Sequence, residues 1–231
     1  MSQYDSYVRW KNWSIDFTFS EADDLYYSKE FGKIVGQGQR IFEIGFGAGS
    51  FLSWARQKGA EVYGVEVQEE IVTVANEKGF IAVTQIDQLL PYRREGFDAA
   101  VALDVFEHLS IDEIPNVLAS IEKLLKPSGT LTIRVPNGVS PFGRCYQHGD
   151  ATHLTVITPS KLSQLALATK LRVVDVRNAA RTASRKSPAH RLLKLFQFAI
   201  RECVNRAVAR IYGYSLSTLD QNVVIVLGNT P

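Results

Sequence analysis

The sequence predicts an α/β fold in which helices cover both faces of a mostly parallel β-sheet. Short apolar runs of strand length alternate with longer segments of helical character along most of the 231 residues. This alternation is typical of parallel strands joined by right-handed helical crossovers. Residues 97–103 are almost entirely apolar, as in a strand that is buried on both faces. A glycine-rich turn at 45–49 separates the first strand from the helix after it.

Seven strands and six helices follow from this alternation. The predicted strands are 41–44, 62–66, 80–84, 97–103, 130–135, 171–176 and 222–227. The predicted helices are 21–35, 51–58, 69–78, 112–125, 158–169 and 188–212.

Local signals at the ends of these segments support the boundaries. Residues 20–23, Ser-Glu-Ala-Asp, have the spacing of a capping box at the start of the first helix. Gly59 and Gly79 follow the second and third helices, where C-terminal glycines are common. Pro159 suits the first turn of a helix, and the run 126–129, Lys-Pro-Ser-Gly, ends a helix and turns the chain.

The glycine turn is the strongest indication of a ligand site. Gly45, Gly47 and Gly49 occupy every second position directly after the first strand, so no Cβ prevents the backbone from approaching a ligand. The helix that follows offers unpaired N–H groups at its start. The spacing differs from the dinucleotide pattern G-x-G-x-x-G, because Ser50 stands where that pattern has its last glycine.

Two acidic residues indicate which ligand the turn holds. Glu43 lies at the end of the first strand, where a carboxylate repels a pyrophosphate and suits a cation. Glu66 lies 21 residues after Gly45, at the end of the second strand, where an acid can accept two hydrogen bonds from a ribose diol. S-adenosylmethionine (SAM) has a ribose, an ammonium and a sulfonium but no phosphate. The residues therefore favour SAM, whereas a purely structural glycine turn is the alternative.

With these motifs the chain resembles class I SAM-dependent methyltransferases. The resemblance lies in residues 43–49, 65–66, 103–109 and 129–137, and it extends over about residues 35–180 and the last strand. It implies a three-layer sandwich with strand order 3-2-1-4-5-7-6, in which the last strand is antiparallel. It also implies that SAM is the cofactor.

The resemblance assigns most of the cofactor site. The residues implied to bind SAM are Glu43, Gly45, Gly47, Gly49, Glu66, Val67, Gln85, Ile86, Leu103 and Asp104. Gln85 and Ile86 are expected at the adenine, where the family often has Asp in the polar position. Asp104 is expected to face the methionine end of SAM.

A loop at 136–158 carries the candidate catalytic residues. It shows no periodic pattern, and long loops without secondary structure in compact domains are often functional. His153 is the candidate general base for a hydroxyl acceptor, with His148 as the competing candidate. The run Asp150-Ala-Thr-His153 resembles that of family members that methylate sugars or other hydroxyls. The alternative is that His153 only holds the loop by hydrogen bonds.

A metal site is the less favoured interpretation of a second cluster. Asp104, Glu107 and His108 have i, i+3, i+4 spacing and would converge on one helical turn. Three ligands without a fourth make a weak site. We therefore predict no metal, with Asp104 at the cofactor and His108 structural.

The segment 181–214 is an insertion where most family members have a short hairpin. Its basic residues exceed its acidic ones by seven, so the rest of the chain has a net charge of −5. At helical spacing, one face is apolar and comprises Leu192, Leu193, Phe196, Ile200, Cys203, Val204, Ala207 and Ile211. The opposite face is basic but includes Leu195 and Phe198. The helix can cover the sheet with its apolar face, form a dimer contact, or bind weakly to an anionic membrane surface.

Composition and chain length restrict the class of protein. The length suits one domain over 1–231, with an N-terminal arm and helix at 1–35, the acceptor loop at 136–158 and the insertion at 181–214. The aromatic residues of 1–22 form either a packed arm or a lid. A net charge of +2 gives no general affinity for nucleic acid, and no Asn-Pro-Pro-Tyr motif follows the fourth strand.

The expected location is the cytoplasm, with contact at the inner face of the membrane as an extension of that expectation. The sequence has neither a secretory signal nor a stretch of 18 apolar residues. Its two cysteines are far apart and suggest no disulfide framework.

These observations predict SAM-dependent methyl transfer, to the hydroxyl of a small molecule or of a glycan, including a lipid-linked glycan. Residues 150–159 and 10–13 resemble bacterial methyltransferases of cell-surface polysaccharide pathways. A quinone precursor or other lipophilic phenol is the alternative acceptor. A SAM-binding regulatory subunit without catalysis is the alternative from another class, although the histidines of the loop argue against it. The oligomeric state is left open.

Overall fold

The protein folds around a seven-stranded sheet with helices on both faces. The computed structural model describes residues 15–183, 187–213 and 218–229. Within these residues the strands are β1 (Arg40–Ile44), β2 (Glu61–Val65), β3 (Ile81–Val83), β4 (Phe97–Leu103), β5 (Leu125–Pro136), β6 (Leu171–Asn178) and β7 (Asn222–Asn229). Their order is β3-β2-β1-β4-β5-β7-β6, and β7 is antiparallel to both of its neighbours. The predicted fold is confirmed.

The helices lie close to their predicted positions. They are α1 (Glu21–Phe31), α2 (Ser50–Gln57), α3 (Glu69–Glu77), α4 (Ile114–Leu124), α5 (Arg144–His148), α6 (Pro159–Leu165) and α7 (Pro188–Tyr212). Short 3₁₀ turns occur at Ile86–Tyr92, Phe106–His108 and Pro141–Gly143. The capping box is present, because the Ser20 hydroxyl accepts from the Asp23 N–H at 3.2 Å and the Asp23 carboxylate accepts from the Ser20 N–H at 2.9 Å.

Three predicted boundaries differ from the structure by more than two residues. α1 and α6 each end about one turn early, at Phe31 and Leu165. β5 begins at Leu125, because residues 126–129 form an irregularity inside the strand, where its register with β4 shifts. The 136–158 loop is not wholly irregular, since it contains the turn at Pro141–Gly143 and the short helix α5. The Ser140 hydroxyl caps that turn by accepting from the Phe142 N–H at 3.0 Å.

Two apolar clusters fill the space on either side of the sheet. The first contains Leu118 of α4 and Leu162 of α6, and the second contains Phe31 of α1, Trp54 of α2 and Ile71 of α3. These side chains are almost completely buried, and such burial of apolar surface is the main force that holds the layers together. The two clusters correspond to the outer layers of the predicted sandwich.

The topology places several strand ends at one edge of the sheet. β1 is parallel to β2 and β4, and β4 is parallel to β5. β7 begins at this same edge, because Asn222 pairs with Pro136, the last residue of β5. In parallel sheets of this kind ligands bind outside the carboxyl ends of the strands. Among the described residues, no helix is both long and apolar enough to cross a bilayer.

Candidate active site

A cleft of about 440 Å³ opens at the carboxyl ends of β1, β2 and β4. Nine of the ten residues predicted to bind the cofactor line it, namely Glu43, Gly45, Gly47, Glu66, Val67, Gln85, Ile86, Leu103 and Asp104. Their contacts with a cofactor remain a prediction.

The glycine turn forms one wall of the cleft. Gly45 has φ +68°, and a Cβ at this position would lie 2.5 Å from a methyl group of Val105. Gly49 has φ +73°, and its missing Cβ would lie 2.1 Å from the ring of Phe17 rather than in the cleft. Gly49 is thus outside the lining and makes room for the segment that precedes α1. The N-terminal part of the predicted arm or lid, with aromatic residues at positions 4, 7, 10 and 13, lies outside the described residues.

Glu66 holds the turn against the end of β2. Its carboxylate accepts a hydrogen bond from the Gly47 N–H at 3.2 Å and is largely buried. Burial raises the pKa of Glu66, although the backbone N–H groups around it counteract this. The carboxylate lies where an acid can bind a ribose diol.

Glu43 is the most unusual group in the cleft. It is buried at the end of β1, and its Oε2 atom has no hydrogen-bond partner among the described residues. Burial and the negative charge of Glu66 raise the pKa of Glu43 well above its usual value. A buried polar atom without a partner is costly, and a cationic ligand in the cleft would relieve that cost. The donor set and the open glycine backbone therefore fit the cationic ligand predicted above.

Arg134 is a cleft residue that the sequence analysis missed. Its Nε donates to Asp104 at 3.1 Å, and a second guanidinium nitrogen bonds to the other carboxylate oxygen. The guanidinium also lies over the ring of Tyr26, 5.2 Å from its centroid. The available signal was an arginine between the apolar residues Ile133 and Val135 near the end of β5. A guanidinium in this position can bind a ligand carboxylate.

The loop after β5 is fastened to the 3₁₀ turn after β4. The carbonyl oxygen of Glu107 accepts from the N–H groups of Leu154 and Thr155, at 2.8 and 3.0 Å. The Thr155 hydroxyl donates to the Leu109 carbonyl at 2.7 Å. These bonds bring the loop residues into contact with His108.

Two histidines meet at this junction, but only one of them reaches the cleft. His108 lines the cleft. The ring of His153 contacts His108 edge to face, with centroids 4.7 Å apart, and its side chain is 8% exposed. His148, at the end of α5, is exposed and is not among the lining residues. Of the two predicted candidates for general base, neither lines the cleft directly.

A chain of hydrogen bonds fixes the tautomer of His108. The Thr152 hydroxyl donates to Asp150 Oδ1 at 2.6 Å, so it can only accept from His108 Nδ1 at 2.9 Å. His108 Nδ1 therefore carries the proton, and Nε2 of the neutral ring carries the lone pair. A carbonyl oxygen can only accept a hydrogen bond, so His153 Nδ1 donates to the Gln147 carbonyl at 3.1 Å.

Asp150 completes this chain as an anion. Burial acts to raise its pKa, but two hydrogen bonds from Thr152 and the nearby histidines lower the pKa below its usual value. The arrangement Asp150–Thr152–His108 can stabilise positive charge on the imidazole. Such a histidine can accept a proton from a hydroxyl.

The predicted alternative metal cluster has a different composition in the structure. Asp104 pairs with Arg134, while the ligand atoms of Glu107, His108 and His153 lie within 4.8 Å of one another. Burial raises the pKa of Glu107 well above its usual value. That these groups hold no metal remains a prediction.

Comparisons with known proteins show that the chain is similar to methyltransferases. Residues 42–133 match the family model described as a methyltransferase domain. The ubiquinone biosynthesis O-methyltransferase of Xanthomonas campestris pv. campestris (strain B100) is 27% identical over 177 residues, with 64% of this chain and 72% of the relative covered. An uncharacterized methyltransferase of Bacillus mycoides (strain KBAB4) is 28% identical over 133 residues, with 55% of this chain and 59% of the relative covered.

The fold is also found in solved structures. The crystal structure of a SAM-dependent methyltransferase from Archaeoglobus fulgidus superposes with a TM-score of 0.64 at 18% identity, covering 98% of this chain and 99% of that chain. At this level of identity the likeness concerns the fold.

Proposed function

We propose that this chain, which is a SAM-dependent methyltransferase, transfers the methyl group to the hydroxyl oxygen of a lipophilic phenol such as a quinone precursor. The observation that carries the proposal is the hydrogen-bond chain from Asp150 through Thr152 to His108 at the wall of the cleft. The Xanthomonas relative is named for O-methylation in ubiquinone biosynthesis, and this supports the phenol among the acceptors that the sequence predicts.

The residues of the cleft fit the cofactor. When bound, SAM supplies a methyl group on a positively charged sulfur. Glu66 would accept hydrogen bonds from the ribose, and Arg134 would bind the methionine carboxylate. Glu43 would lie near positive charge, which offsets the cost of its burial. Gln85 and Ile86 remain the predicted adenine contacts.

We assign the proton transfer to His108. Its Nε2 would take the proton that the acceptor hydroxyl loses on methylation, and S-adenosylhomocysteine would be left as the product of the cofactor. Thr152 and Asp150 would stabilise the imidazolium that forms, since the Nδ1–H bond holds the ring and the anion lies behind it. General bases of this kind contribute about 10²–10⁴ to the rate. We assign His153, whose ring contacts that of His108 edge to face, to positioning the His108 ring.

A glycan hydroxyl, including that of a lipid-linked glycan, is the second candidate acceptor. The likeness of residues 150–159 to sugar methyltransferases favours it, and the same histidine chemistry would serve it. The polysaccharide pathway, the cytoplasmic location and the contact with the inner membrane face remain predictions. A regulatory subunit without catalysis would have no use for a base at the cofactor cleft.

The test is identification of the product. The purified full chain is incubated with methyl-labelled SAM and either catechol-type phenols or lipid-linked glycans, and the product is analysed by mass spectrometry. We expect a methyl ether on the phenol. Transfer to glycans alone would move the assignment to the second acceptor class. Transfer to nitrogen or carbon, or SAM binding without turnover on either class, would contradict the proposal.

A further inference from the structure

Most of the apolar face of α7 is exposed to solvent, although Ile200 and Val204 also line a groove that Phe142 borders. Only Asn205 and Ala209 of this 25-residue helix are buried. The predicted apolar face includes six large side chains that are between 41% and 75% exposed, namely Leu192, Leu193, Phe196, Ile200, Val204 and Ile211. Of the three alternatives for this helix, the one in which the apolar face covers the sheet is therefore wrong. Apolar patches of this extent commonly mark a binding surface.

Polar contacts hold the opposite face of the helix. Arg181, just after β6, bonds to Asp220 with distances of 2.5 and 2.6 Å and reaches Glu202 of α7 at 3.5 Å. The Asn205 amide donates to the same Asp220 at 2.9 Å. Since residues three or four apart share a face of a helix, Glu202 and Asn205 define the inward face. The attachment leaves the apolar residues on the outward face.

The charge of α7 is strongly positive. The helix contains five basic residues, Arg191, Lys194, Arg201, Arg206 and Arg210, and a single acid. That acid, Glu202, lies within 3.5 Å of Arg181 and 3.0 Å of Arg206. Arg206 and Arg210 follow one border of the apolar face at helical spacing, and Arg201 lies beyond the other. An apolar stripe bordered by basic side chains is typical of a helix that lies in a membrane interface.

We propose that the outward face of α7 docks this protein on an anionic lipid bilayer. The apolar side chains would enter the boundary between headgroups and acyl chains, and the basic side chains would contact the lipid phosphates. At about 1.5 Å per residue the helix is about 37 Å long, enough to lie across several lipids. A second copy of the chain is a less suitable occupant, because its α7 would bring the same excess of positive charge to the contact.

The position of α7 relates this surface to the cleft. The helix follows β6, which ends at Asn178, and precedes β7, which begins at Asn222. Asn222 pairs with the last residue of β5, so both connections lie at the edge of the sheet where the cleft opens. When the protein is docked, the cleft would therefore lie near the bilayer, in which a lipophilic acceptor dissolves. This link to the acceptor rests on the proposed function, whereas binding to lipid does not.

Flotation of the full chain with vesicles tests the docking. At low salt we expect binding to vesicles that contain phosphatidylglycerol, little binding to pure phosphatidylcholine, and loss of binding at high salt because screening weakens the attraction. Arg201→Gln with Arg210→Gln should weaken binding roughly 25-fold, since each basic residue contributes about fivefold near an anionic surface. Phe196→Ser with Leu192→Ser should remove the apolar part and lower binding at every salt concentration.

A matched control separates the helix from general surface hydrophobicity. Leu167 lies outside α7 and is 70% exposed, close to the 69% of Leu192, so Leu167→Ser should leave vesicle binding unchanged. If Leu167→Ser lowers vesicle binding as much as the substitutions in α7 do, the proposal is overturned. So would an absence of binding at low salt, or a concentration-dependent dimer that Phe196→Ser dissociates, which would identify a second copy as the occupant. Methyl transfer to a soluble phenol, measured on the same samples, reports on the proposed function independently.

Discussion

His108 and His153 meet edge to face with their ring centroids 4.7 Å apart, yet only His108 lines the cleft. The two rings therefore have different environments although both belong to one contact. His153 Nδ1 bonds to a backbone carbonyl, and His108 Nδ1 bonds to the Thr152 hydroxyl. His108 is connected through that hydroxyl to the carboxylate of Asp150, whereas His153 Nε2 lies 3.9 Å from the other oxygen of the same carboxylate.

This difference predicts unequal effects of two histidine substitutions. His153→Ala removes a ring that supports His108 but leaves the ring at the cleft in place, so we expect the methyl-transfer rate to fall about tenfold or less. If His153 itself is the base, as the sequence alone predicts, the rate falls by about 10²–10⁴. Single-turnover kinetics with saturating SAM distinguish the two. His148→Ala, at an exposed position outside the cleft lining, is the control and should leave the rate unchanged.

Thr152 should act as a positioning residue. Thr152→Val keeps the shape but removes the hydroxyl that accepts from His108 Nδ1 and donates to Asp150. His108 Nδ1 keeps a longer contact of 3.3 Å with the backbone carbonyl oxygen of residue 152. A hydrogen bond of the kind that is lost is worth about 1 kcal/mol net, so we expect the turnover number to fall about five- to tenfold. Thr152→Ser restores the hydroxyl and should restore most of the rate. If Thr152→Ser is well folded but does not restore the turnover number, the hydroxyl is not the group that positions His108.

The sequence predicts the fold well because its signals are local. The glycine turn, the apolar run at 97–103 and the helix caps each depend on neighbouring residues, and the structure has the corresponding elements. Gly49 shows the limit of such signals. Its spacing resembles that of a ligand-binding glycine, but its positive φ serves the start of α2 and the approach of Phe17.

The remaining site residues depend on contacts between distant segments. His108 reaches the cleft beside the loop because Glu107 binds Leu154 and Thr155, more than 40 residues away. Arg134 is a candidate because it bonds to Asp104, which lies 30 residues away in the sequence. The periodicity of α7 identified its apolar face, but only its contacts with Arg181 and Asp220 show that this face points outward. These contacts cannot be predicted from the sequence pattern of any single segment.

Glu66 is predicted to bind the ribose. Glu66→Ala removes one or two hydrogen bonds to a charged acceptor, each worth roughly 1.5–3 kcal/mol, so affinity for S-adenosylhomocysteine should fall about ten- to hundredfold. Titration calorimetry measures this loss. Glu70→Ala, an exposed acid on α3, is the control. Unchanged affinity in a folded Glu66→Ala protein would reject the ribose assignment.

Binding of SAM should release protons. Burial raises the pKa of Glu43 and of Glu66 above their usual 4.5, so the free folded protein holds protons that the unfolded chain loses as pH rises. These groups therefore favour folding most below pH 4.5, and their contribution to stability declines as pH rises through the raised pKa values. A cationic ligand lowers both pKa values, so affinity for SAM should increase with pH across the same interval.

Calorimetry in two buffers of different ionisation enthalpy counts the released protons. Glu43→Gln cannot ionise and should reduce the release while making stability less dependent on pH. Proton uptake on binding, or release that is unchanged in Glu43→Gln, would show that these carboxyl groups do not sense the charge of SAM.

The most direct test of the account is the rate of methyl transfer in His108→Ala. The substitution removes the proposed base, while the residues assigned to SAM remain, so S-adenosylhomocysteine should bind with nearly wild-type affinity. We predict that transfer to a phenolic hydroxyl then falls by about 10²–10⁴. A His108→Ala protein that binds S-adenosylhomocysteine normally and still methylates the phenol at the wild-type rate would contradict the assignment of His108 as the base.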